Sequence, residues 1–292
     1  MKSSWLNDSN LRKVQKIDLE MAVAFDSFCE RNHLTRYLCG GGCIGAVRNG
    51  GFIPWDDDLD FFMPRKDFQR FISLWDQQEE GQKYKLCYVS AACLTHDQHA
   101  KIRHPETTMI HQLQVNDDIC QGVFIDVIPI DGYAPTKVKR KIQMVWSLVY
   151  QLFSTQVVPE KHGWMIRCAG RIILGVLRPT KLRYKISKIA EKQMSKYDID
   201  APEIDAITEL CTGTHYMKLR YPKEIFASYV YKDFEDVRLP VPVGYDTYLR
   251  TAFGDYLQMP PKDKRRSDHE IVFLDPDKSY LEYRGIHYMN AK

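Results

Sequence analysis

Several common features are missing from this 292-residue sequence, and each absence narrows the classes of protein that it can encode. It has no run of about 18 uninterrupted apolar residues, so no membrane-spanning helix is expected. The first residues lack the apolar stretch of a secretory signal peptide. Lys and Arg number 41 against 38 Asp and Glu. This near balance argues against a dedicated nucleic-acid-binding protein, whose basic charge would be concentrated on one face.

The eight cysteines are scattered along the chain without a CxxC pair. In a domain of this size, that pattern favours reduced thiols in the cytosol over a disulfide framework, so a cytoplasmic protein is expected. An alternative is a zinc site, although the spacing matches no common zinc finger. Its candidate ligands are Cys87, Cys93, His96, His99, His104 and His111.

Helical and strand periods occur in turn along the sequence, which predicts an α/β fold with a mixed sheet. The predicted elements are helices over 9–32, 43–47, 66–76 and 245–253, strands over 37–39, 59–63, 84–92, 100–103 and 107–110, and a hairpin over 226–242. We expect a catalytic core formed by residues 1–135 and 220–292. Residues 136–219 are expected to form a helical insert.

A glycine-rich loop follows the predicted strand over 37–39. Gly40, Gly41 and Gly42 separate two apolar segments, and glycine lets the backbone approach a phosphate closely. We therefore expect the backbone amides of these glycines, together with Arg48, to bind a phosphate group.

Four acidic residues follow this loop and lead into an apolar strand. Asp58 and Asp60 alternate with apolar residues, so both carboxylates should lie on one face of the strand. Like charges this close repel unless a cation lies between them, and oxygen ligands favour Mg²⁺ or Mn²⁺. Asp56 is a further expected ligand, whereas Asp57 would face away and orient the segment. The alternative is a glycine turn followed by an acidic surface strand.

A further acid lies in the apolar run over residues 122–132. Asp126 would be costly to bury there without a cation or a proton to handle, which makes it the candidate for a third carboxylate of the site. Alternatively, it accepts a hydrogen bond from a backbone amide at the strand end. Lys101 and Arg103 are expected to be exposed strand cations, which either add positive charge for the substrate or are ordinary surface residues.

These segments resemble the signature of the LicD family. The resemblance rests on Gly40-Gly41, Gly45-Ala46-Val47-Arg48, residues 50–60, Arg65-Lys66-Asp67-Phe68, residues 122–132 and residues 254–269. It covers about 1–135 and 220–275. The Ser or Thr that usually follows the glycine pair is Gly42 in this chain, so backbone amides would have to replace a hydroxyl contact to the donor phosphate.

The resemblance implies a nucleotidyltransferase-like fold and transfer of phosphocholine, or a related group, from a CDP-linked donor to a glycan hydroxyl. It also implies that Asp126 binds metal or removes a proton. A choline group needs an aromatic cage, because a quaternary ammonium cannot donate hydrogen bonds. Candidate cage residues are Trp55, Tyr229, Tyr231 and Tyr256. His269 would contact the donor or fix the C-terminal segment.

The predicted insert is basic and amphipathic. Such a segment can lie on an anionic membrane surface, or it can pack its apolar face on the core. Peripheral contact with the inner face of the cell membrane is one expectation, and it would bring the enzyme to a lipid-linked oligosaccharide acceptor.

Together, these observations predict a magnesium-dependent transferase. It would move phosphocholine from CDP-choline to a sugar hydroxyl of a cell-surface glycan or teichoic acid precursor and release CMP. Alternatives are the same chemistry with CDP-ribitol, CDP-glycerol or a CMP-phosphonate, nucleotidyl transfer with release of pyrophosphate, and a non-catalytic glycan-binding protein.

Overall fold

The structure is a computed structural model that describes residues 8–91, 95–157, 164–267 and 270–289. Its helices in this part of the chain are α1 (Asp8–Arg31), α2 (Gly40–Arg48), α3 (Arg65–Leu74), α4 (Glu79–Lys83), α5 (Lys137–Thr155), α6 (Trp164–Val176), α7 (Thr180–Met194) and α8 (Tyr245–Phe253). The strands are β1 (Tyr37–Cys39), β2 (Asp60–Pro64), β3 (Lys85–Cys87), β4 (Ala100–Arg103), β5 (Thr108–His111), β6 (Phe124–Gly132), β7 (Ala206–Glu209), β8 (Tyr221–Pro222), β9 (Tyr229–Phe234), β10 (Val237–Pro242) and β11 (Ile271–Asp275). These elements confirm the predicted α/β class.

The chain divides into two compact units. The first comprises Met1–Cys87, Lys101–Ile128 and Glu224–Lys292, and the second comprises Tyr88–Ala100 and Pro129–Lys223. In the first unit the sheet order is β1-β2-β6-β4-β3, with β6 contributing its residues up to Ile128. β1 and β2 are antiparallel, and their register places Asp60 opposite Cys39, the residue before α2.

Helix α1 is fixed to the first unit by aromatic packing. Phe25 makes edge-to-face contacts with Phe61 of β2 and Phe71 of α3, at ring-centroid distances of 5.1 and 5.5 Å. Phe28 lies against Trp75 at 4.9 Å. Each such pair contributes about 0.5–1.5 kcal/mol beyond the apolar area that it buries. The buried face of α1 is therefore held firmly against the strand that begins at Asp60.

The strand predicted over 84–92 is much shorter in the structure. β3 pairs antiparallel with β4, from Lys85 opposite Arg103 to Cys87 opposite Lys101. β4 begins at Ala100, so the partner for a longer β3 ends there. The apolar pattern over 84–92 predicted a longer strand, but β4 is too short to pair with all of it.

In the second unit, residues 130–132 of β6 pair antiparallel with β7, which pairs with β8. Helices α5 and α7 pack against each other. No helix in the described ranges is both long enough and apolar enough to cross a membrane.

Candidate metal and phosphate site

The three glycines form the first turn of α2 rather than a loop before it. The prediction that this helix begins at Cys43 was wrong. Glycine is a poor helix former, but α2 begins with three glycines because neighbouring side chains leave no room for a Cβ there. A Cβ on Gly41 would lie 2.1 Å from the Asp56 carboxylate, and one on Gly40 would lie 3.1 Å from the Asp60 carboxylate. Glycine at these positions therefore lets two carboxylates lie against the first turn of the helix.

Gly42 has a different role. A Cβ there would lie 2.8 Å from Leu38 and 3.0 Å from Leu59, so the apolar core fills the space that a serine or threonine side chain would need. The first turn of α2 is left with backbone amides, and Gly40 donates its own to the Tyr248 hydroxyl at 3.0 Å.

Asp58, Asp60 and Asp126 come together at the end of the sheet. Each offers a carboxylate oxygen, and these oxygen atoms lie within 4.8 Å of one another. The backbone amide of Asp126 donates to the Leu59 carbonyl at 3.0 Å, which fixes β6 beside the acidic segment. The structure thus brings together three residues that are separated by up to 68 positions in the sequence.

Asp56, Asp57 and Asp58 form a second group with oxygen atoms equally close to one another. Asp57 is buried, and the Ser267 hydroxyl donates to its carboxylate at 2.8 Å. The expectation that Asp57 faces away from Asp56 and Asp58 was wrong, because residues 56–59 are not in a strand. The contact with Ser267 is compatible with the orienting role expected for Asp57, since it ties the acidic segment to a distant part of the chain.

Lys101 is buried beside Asp126, which corrects the expectation that it is an exposed strand cation. Its Nζ lies 2.6 and 2.9 Å from the two carboxylate oxygens of Asp126 and 3.6 Å from the centre of the Phe124 ring. Lys101 is buried because its strand, β4, lies between β6 and β3 in the sheet. Lys101 neutralises part of the charge that the acidic residues accumulate.

Arg103 is also buried, so its expected exposure was wrong for the same reason. It donates to the Gly122 carbonyl at 3.1 Å and to the Gln114 side chain at 2.7 Å. These bonds hold the segment before β6.

Asp18 of α1 is a carboxylate that sequence reasoning missed. It is fully buried, and neither of its oxygen atoms has a hydrogen-bond partner among the described residues. Burial, and then the charges of Asp58, Asp57, Asp56 and Asp126, raise its pKa well above the ordinary value. One signal was available in the sequence: Asp18 follows Val14 by four residues and therefore lies on the buried face of the helix.

Gln15 connects this face of α1 to the acidic segment. Its side-chain amide donates to the Asp56 carbonyl at 2.8 Å and to the Ile53 carbonyl at 3.4 Å. Gln15 and Asp18 are three residues apart and therefore neighbours on one face. The helix thus positions both the backbone of the acidic segment and an additional carboxyl group.

Two arginines border the acidic residues. Arg48 donates to the Tyr256 carbonyl at 2.8 Å. Burial and the neighbouring Arg265 lower the pKa of Arg48, whereas Asp56 raises it, so the three side chains are close enough to interact. The Arg265 guanidinium also lies 5.6 Å from the centre of the Trp55 ring. Arg48 and Arg265 therefore place positive charge near Asp56. The Trp55 ring lies beside Arg265 in the same region.

The predicted tyrosines have other partners. Tyr231 receives a hydrogen bond from Arg36 at 2.8 Å and donates to Asp26 at 3.2 Å, and the Arg36 guanidinium lies 4.8 Å from the Tyr229 ring centre. Tyr256 donates its hydroxyl to Asp246 at 2.8 Å. Among the proposed cage residues, Trp55 is the one adjacent in sequence to an acidic ligand candidate. His269 lies outside the described residues.

The chemistry of this donor set suits a hard divalent cation. All of its candidate ligands are carboxylates, and oxygen atoms are the ligands that Mg²⁺ and Mn²⁺ prefer. Groups of three or more potential ligands are limited, in the described ranges, to the two carboxylate groups. The alternative zinc site is therefore without support there, and Cys93 lies outside those ranges.

Carboxylates of the first unit thus lie beside the N-terminus of α2 and two arginines, an arrangement that suits binding of a cation and of phosphate groups. Residues 33–162 match the nucleotidyltransferase domain described as LicD/FKTN/FKRP. The chain is also 29% identical over 267 residues to the lipopolysaccharide cholinephosphotransferase LicD of Haemophilus influenzae, an alignment that covers 89% of this chain and 96% of the relative. Residues 33–162 are thus similar to a LicD-type domain, and the resemblance predicted from the sequence is confirmed.

Proposed function

We propose that the protein transfers phosphocholine from CDP-choline to a sugar hydroxyl of a surface glycan and releases CMP. The observation that carries this proposal is the convergence of Asp58, Asp60 and Asp126 within the LicD-type domain. The name of the Haemophilus relative supports the choice of phosphocholine as the transferred group.

The divalent ion, Mg²⁺ or Mn²⁺, would be held by Asp58, Asp60 and Asp126, with Asp56 as a further ligand. When bound, it supplies neutralisation of charge on the donor pyrophosphate and on the departing nucleotide, which is the larger part of catalysis in phosphoryl transfer. Asp18 lies near these ligands, and a bound cation would oppose the effects that raise its pKa and would favour its ionised form.

The chain's own residues would perform the remaining steps. Arg48, Arg265 and the backbone amides of Gly41 and Gly42 bind the donor phosphates, since the Gly40 amide donates to Tyr248. Asp126 accepts the proton of the acceptor hydroxyl, which requires a base within hydrogen-bond reach. As the acceptor oxygen forms its bond to the choline-bearing phosphorus, the bond from that phosphorus to CMP breaks, and CMP leaves with the electron pair.

Trp55 is proposed to receive the choline head group. Its ring already lies near the Arg265 guanidinium, and the face of a tryptophan ring attracts a cation that cannot donate hydrogen bonds. Trp55→Leu is expected to raise KM for CDP-choline about tenfold, which corresponds to the loss of one cation–π contact. KM for CDP-glycerol, which lacks a cationic head, should be unchanged. Equal effects on both donors would contradict this role.

The acceptor is proposed to be a lipid-linked oligosaccharide or a teichoic acid precursor, reached by peripheral contact with the inner face of the cell membrane. Lipopolysaccharide, named for the relative, is a lipid-carried glycan of the same general kind.

The test is CMP release by the purified protein from CDP-choline, CDP-ribitol, CDP-glycerol and a CMP-phosphonate, with Mg²⁺ or with EDTA, and with a crude bacterial glycan extract as acceptor. Release that requires CDP-choline and is abolished by EDTA supports the proposal. Turnover of another donor retains the mechanism and changes the substrate. Pyrophosphate release from a nucleoside triphosphate identifies nucleotidyl transfer instead. Glycan binding without turnover of any donor would identify the non-catalytic alternative.

A further inference from the structure

Helix α5 of the second unit has an unusual distribution of polar and apolar residues. Its buried positions include Arg140, Gln143, Ser147 and Gln151. Its exposed positions include Val138, Ile142, Val145 and Leu148, which are 40–68% exposed. A helix on the surface of a globular protein normally shows the opposite pattern, with its apolar face toward the core.

The buried polar residues of α5 are bound within the second unit. Gln143 donates to the carbonyls of Gly132 and Met194, each at 2.9 Å, and Ser147 donates to the Leu210 carbonyl at 2.8 Å. Arg140 donates to the Thr208 hydroxyl at 3.0 Å. Because these bonds fix the orientation of the helix, its apolar side cannot turn inward without leaving buried polar groups unpaired.

The exposed apolar residues of α5 form a single stripe. Val138, Ile142, Val145 and Leu148 are separated by four, three and three residues, which is the spacing that keeps side chains on one face of a helix. We call these four residues the α5 stripe. Exposed apolar surface of this kind in a folded protein marks an interaction site.

Helix α6 also exposes large apolar residues. Ile172 and Val176, which are four residues apart, are 66% and 73% exposed. Arg183 of α7 donates to the carbonyls of Leu174 and Leu177, at 2.5 and 2.7 Å. These bonds tie the end of α6 to α7, the helix that packs against α5.

The same segment is strongly basic. Residues 137–190 contain twelve Lys or Arg and a single acidic residue, Glu160, although the two charges nearly balance over the whole chain. Exposed cations lie on all three helices, among them Lys137 and Lys141 on α5, Arg171 on α6 and Lys181 and Lys185 on α7. A partner for this surface must therefore combine negative charge with an apolar interior.

We propose that helices α5 and α6 bind the surface of an anionic phospholipid bilayer. The α5 stripe and the exposed isoleucine and valine of α6 would enter the boundary between head groups and acyl chains. The surrounding lysines and arginines would bind lipid phosphates. An interfacial amphipathic segment has this combination of an apolar face and a cationic border.

The biological role of this surface rests on the proposed function, because the enzyme would meet a lipid-linked acceptor at the bilayer. Lipid binding itself needs neither donor nor acceptor. The two ideas can therefore fail separately.

The experiment is sedimentation of the full-length protein with phosphatidylcholine vesicles, with and without phosphatidylglycerol. The protein is expected to bind the vesicles that contain phosphatidylglycerol, and to bind less as the salt concentration rises. The double variant Val145→Glu/Leu148→Glu should bind them at least about tenfold more weakly, because it places charge in the α5 stripe. Lys137→Gln/Lys141→Gln should reduce the preference for phosphatidylglycerol.

The matched control is Leu281→Glu/Ile286→Glu, which changes two residues of the first unit that are 58% and 60% exposed. It should bind vesicles as the wild type does. Circular dichroism checks that each variant is folded, and CMP release with a water-soluble acceptor checks the active site independently.

Two results would overturn the proposal: no binding of the wild type to anionic vesicles, or equal binding by the wild type and the α5 variant. Light scattering covers a third case. If the wild type is a dimer and the α5 variant is a monomer, the stripe is an interface between two copies of the chain, and the lipid proposal is wrong.

Discussion

Buried carboxylates occur in both units, but they are neutralised in different ways. In the first unit, Asp126 pairs with Lys101, whereas buried Asp18 has no hydrogen-bond partner among the described residues and lies in the field of further carboxylates. In the second unit, Glu209 accepts hydrogen bonds from the hydroxyls of Tyr221 and Thr212. Burial raises the pKa of Glu209 to about 7, although both hydroxyls lower it.

This difference separates a structural carboxylate from a cation site. No neighbouring charge is among the causes of the raised pKa of Glu209, and one proton is enough to neutralise this side chain. In the first unit, Asp58, Asp60 and Asp126 lie close enough together for one divalent cation to contact all three carboxylates.

Lys101→Met should have the largest effect on stability. It leaves Asp126 buried without its ammonium partner, and breaking a buried ion pair costs about 3–5 kcal/mol. The measurement is urea unfolding in EDTA and again in Mg²⁺, and the loss should be smaller in Mg²⁺ if the ion takes over the neutralisation.

The control for this variant is Lys85→Met on the neighbouring strand, where the side chain is exposed. It should change the free energy of unfolding by less than about 0.5 kcal/mol. Equal losses in the two variants would show that the Lys101–Asp126 pair has no special importance.

Glu209 predicts a pH dependence of stability. The pKa of Glu209 is higher in the folded protein than in the unfolded chain. As the pH rises, the unfolded chain therefore loses this proton at a lower pH than the folded protein does. The contribution to stability is complete below about pH 4.5 and is lost as the pH rises to about 7. The loss is about 3 kcal/mol.

Glu209→Gln should remove this part of the pH dependence, as measured by urea unfolding at several pH values between about 4.5 and 8. Glu203→Gln, at an exposed position of the same unit, should leave it in place. A variant at position 209 with the wild-type pH profile would contradict the assignment.

Asp18→Asn should have the smallest effect, and its sign is the informative quantity. The folded pKa of Asp18 is raised, so its ionised form opposes folding as the pH rises above the unfolded value. In EDTA at neutral pH, the variant should gain on the order of 1 kcal/mol in unfolding free energy, a modest gain because the asparagine is itself unpaired. The gain should disappear in acid, where Asp18 is protonated.

Addition of Mg²⁺ should raise the melting temperature of the wild type more than that of Asp18→Asn, since a bound cation lowers the raised pKa of Asp18 and so reduces its cost to stability, whereas asparagine does not titrate. Glu20→Gln, an exposed change on the same helix, serves as the control. Destabilisation of Asp18→Asn in EDTA would refute this account of its environment.

Local spacing was enough to predict much of the fold. The predicted helix over 245–253 and the strands over 37–39 and 100–103 have the bounds found in the structure, and α1 differs by one residue at each end. These elements follow from the period of their own apolar residues. The proximity of Asp58 and Asp60 was also predicted, although Asp58 lies before β2 and not within a strand as the alternation had assumed.

The missed features depend on contacts between distant segments. Nothing local to β4 shows that it lies inside a sheet, so the burial of Lys101 was not predicted. Arg265 reaches the site from beyond residue 260, and Asp18 reaches it from the first helix. The start of α2 was missed because glycine disfavours helix. Glycine is nevertheless needed at positions 40 and 41, because the carboxylates of Asp60 and Asp56 lie where a Cβ would be.

The central claim is that the carboxylates of the first unit bind a divalent cation through Asp60. Its most direct test is calorimetric titration of the metal-free protein with Mg²⁺ and with Mn²⁺, comparing the wild type with Asp60→Asn and with Asp233→Asn, whose side chain is 87% exposed. We expect the wild type and Asp233→Asn to bind equally, and Asp60→Asn to bind at least about tenfold more weakly. Absence of binding by the wild type, or wild-type affinity in Asp60→Asn, would contradict the account.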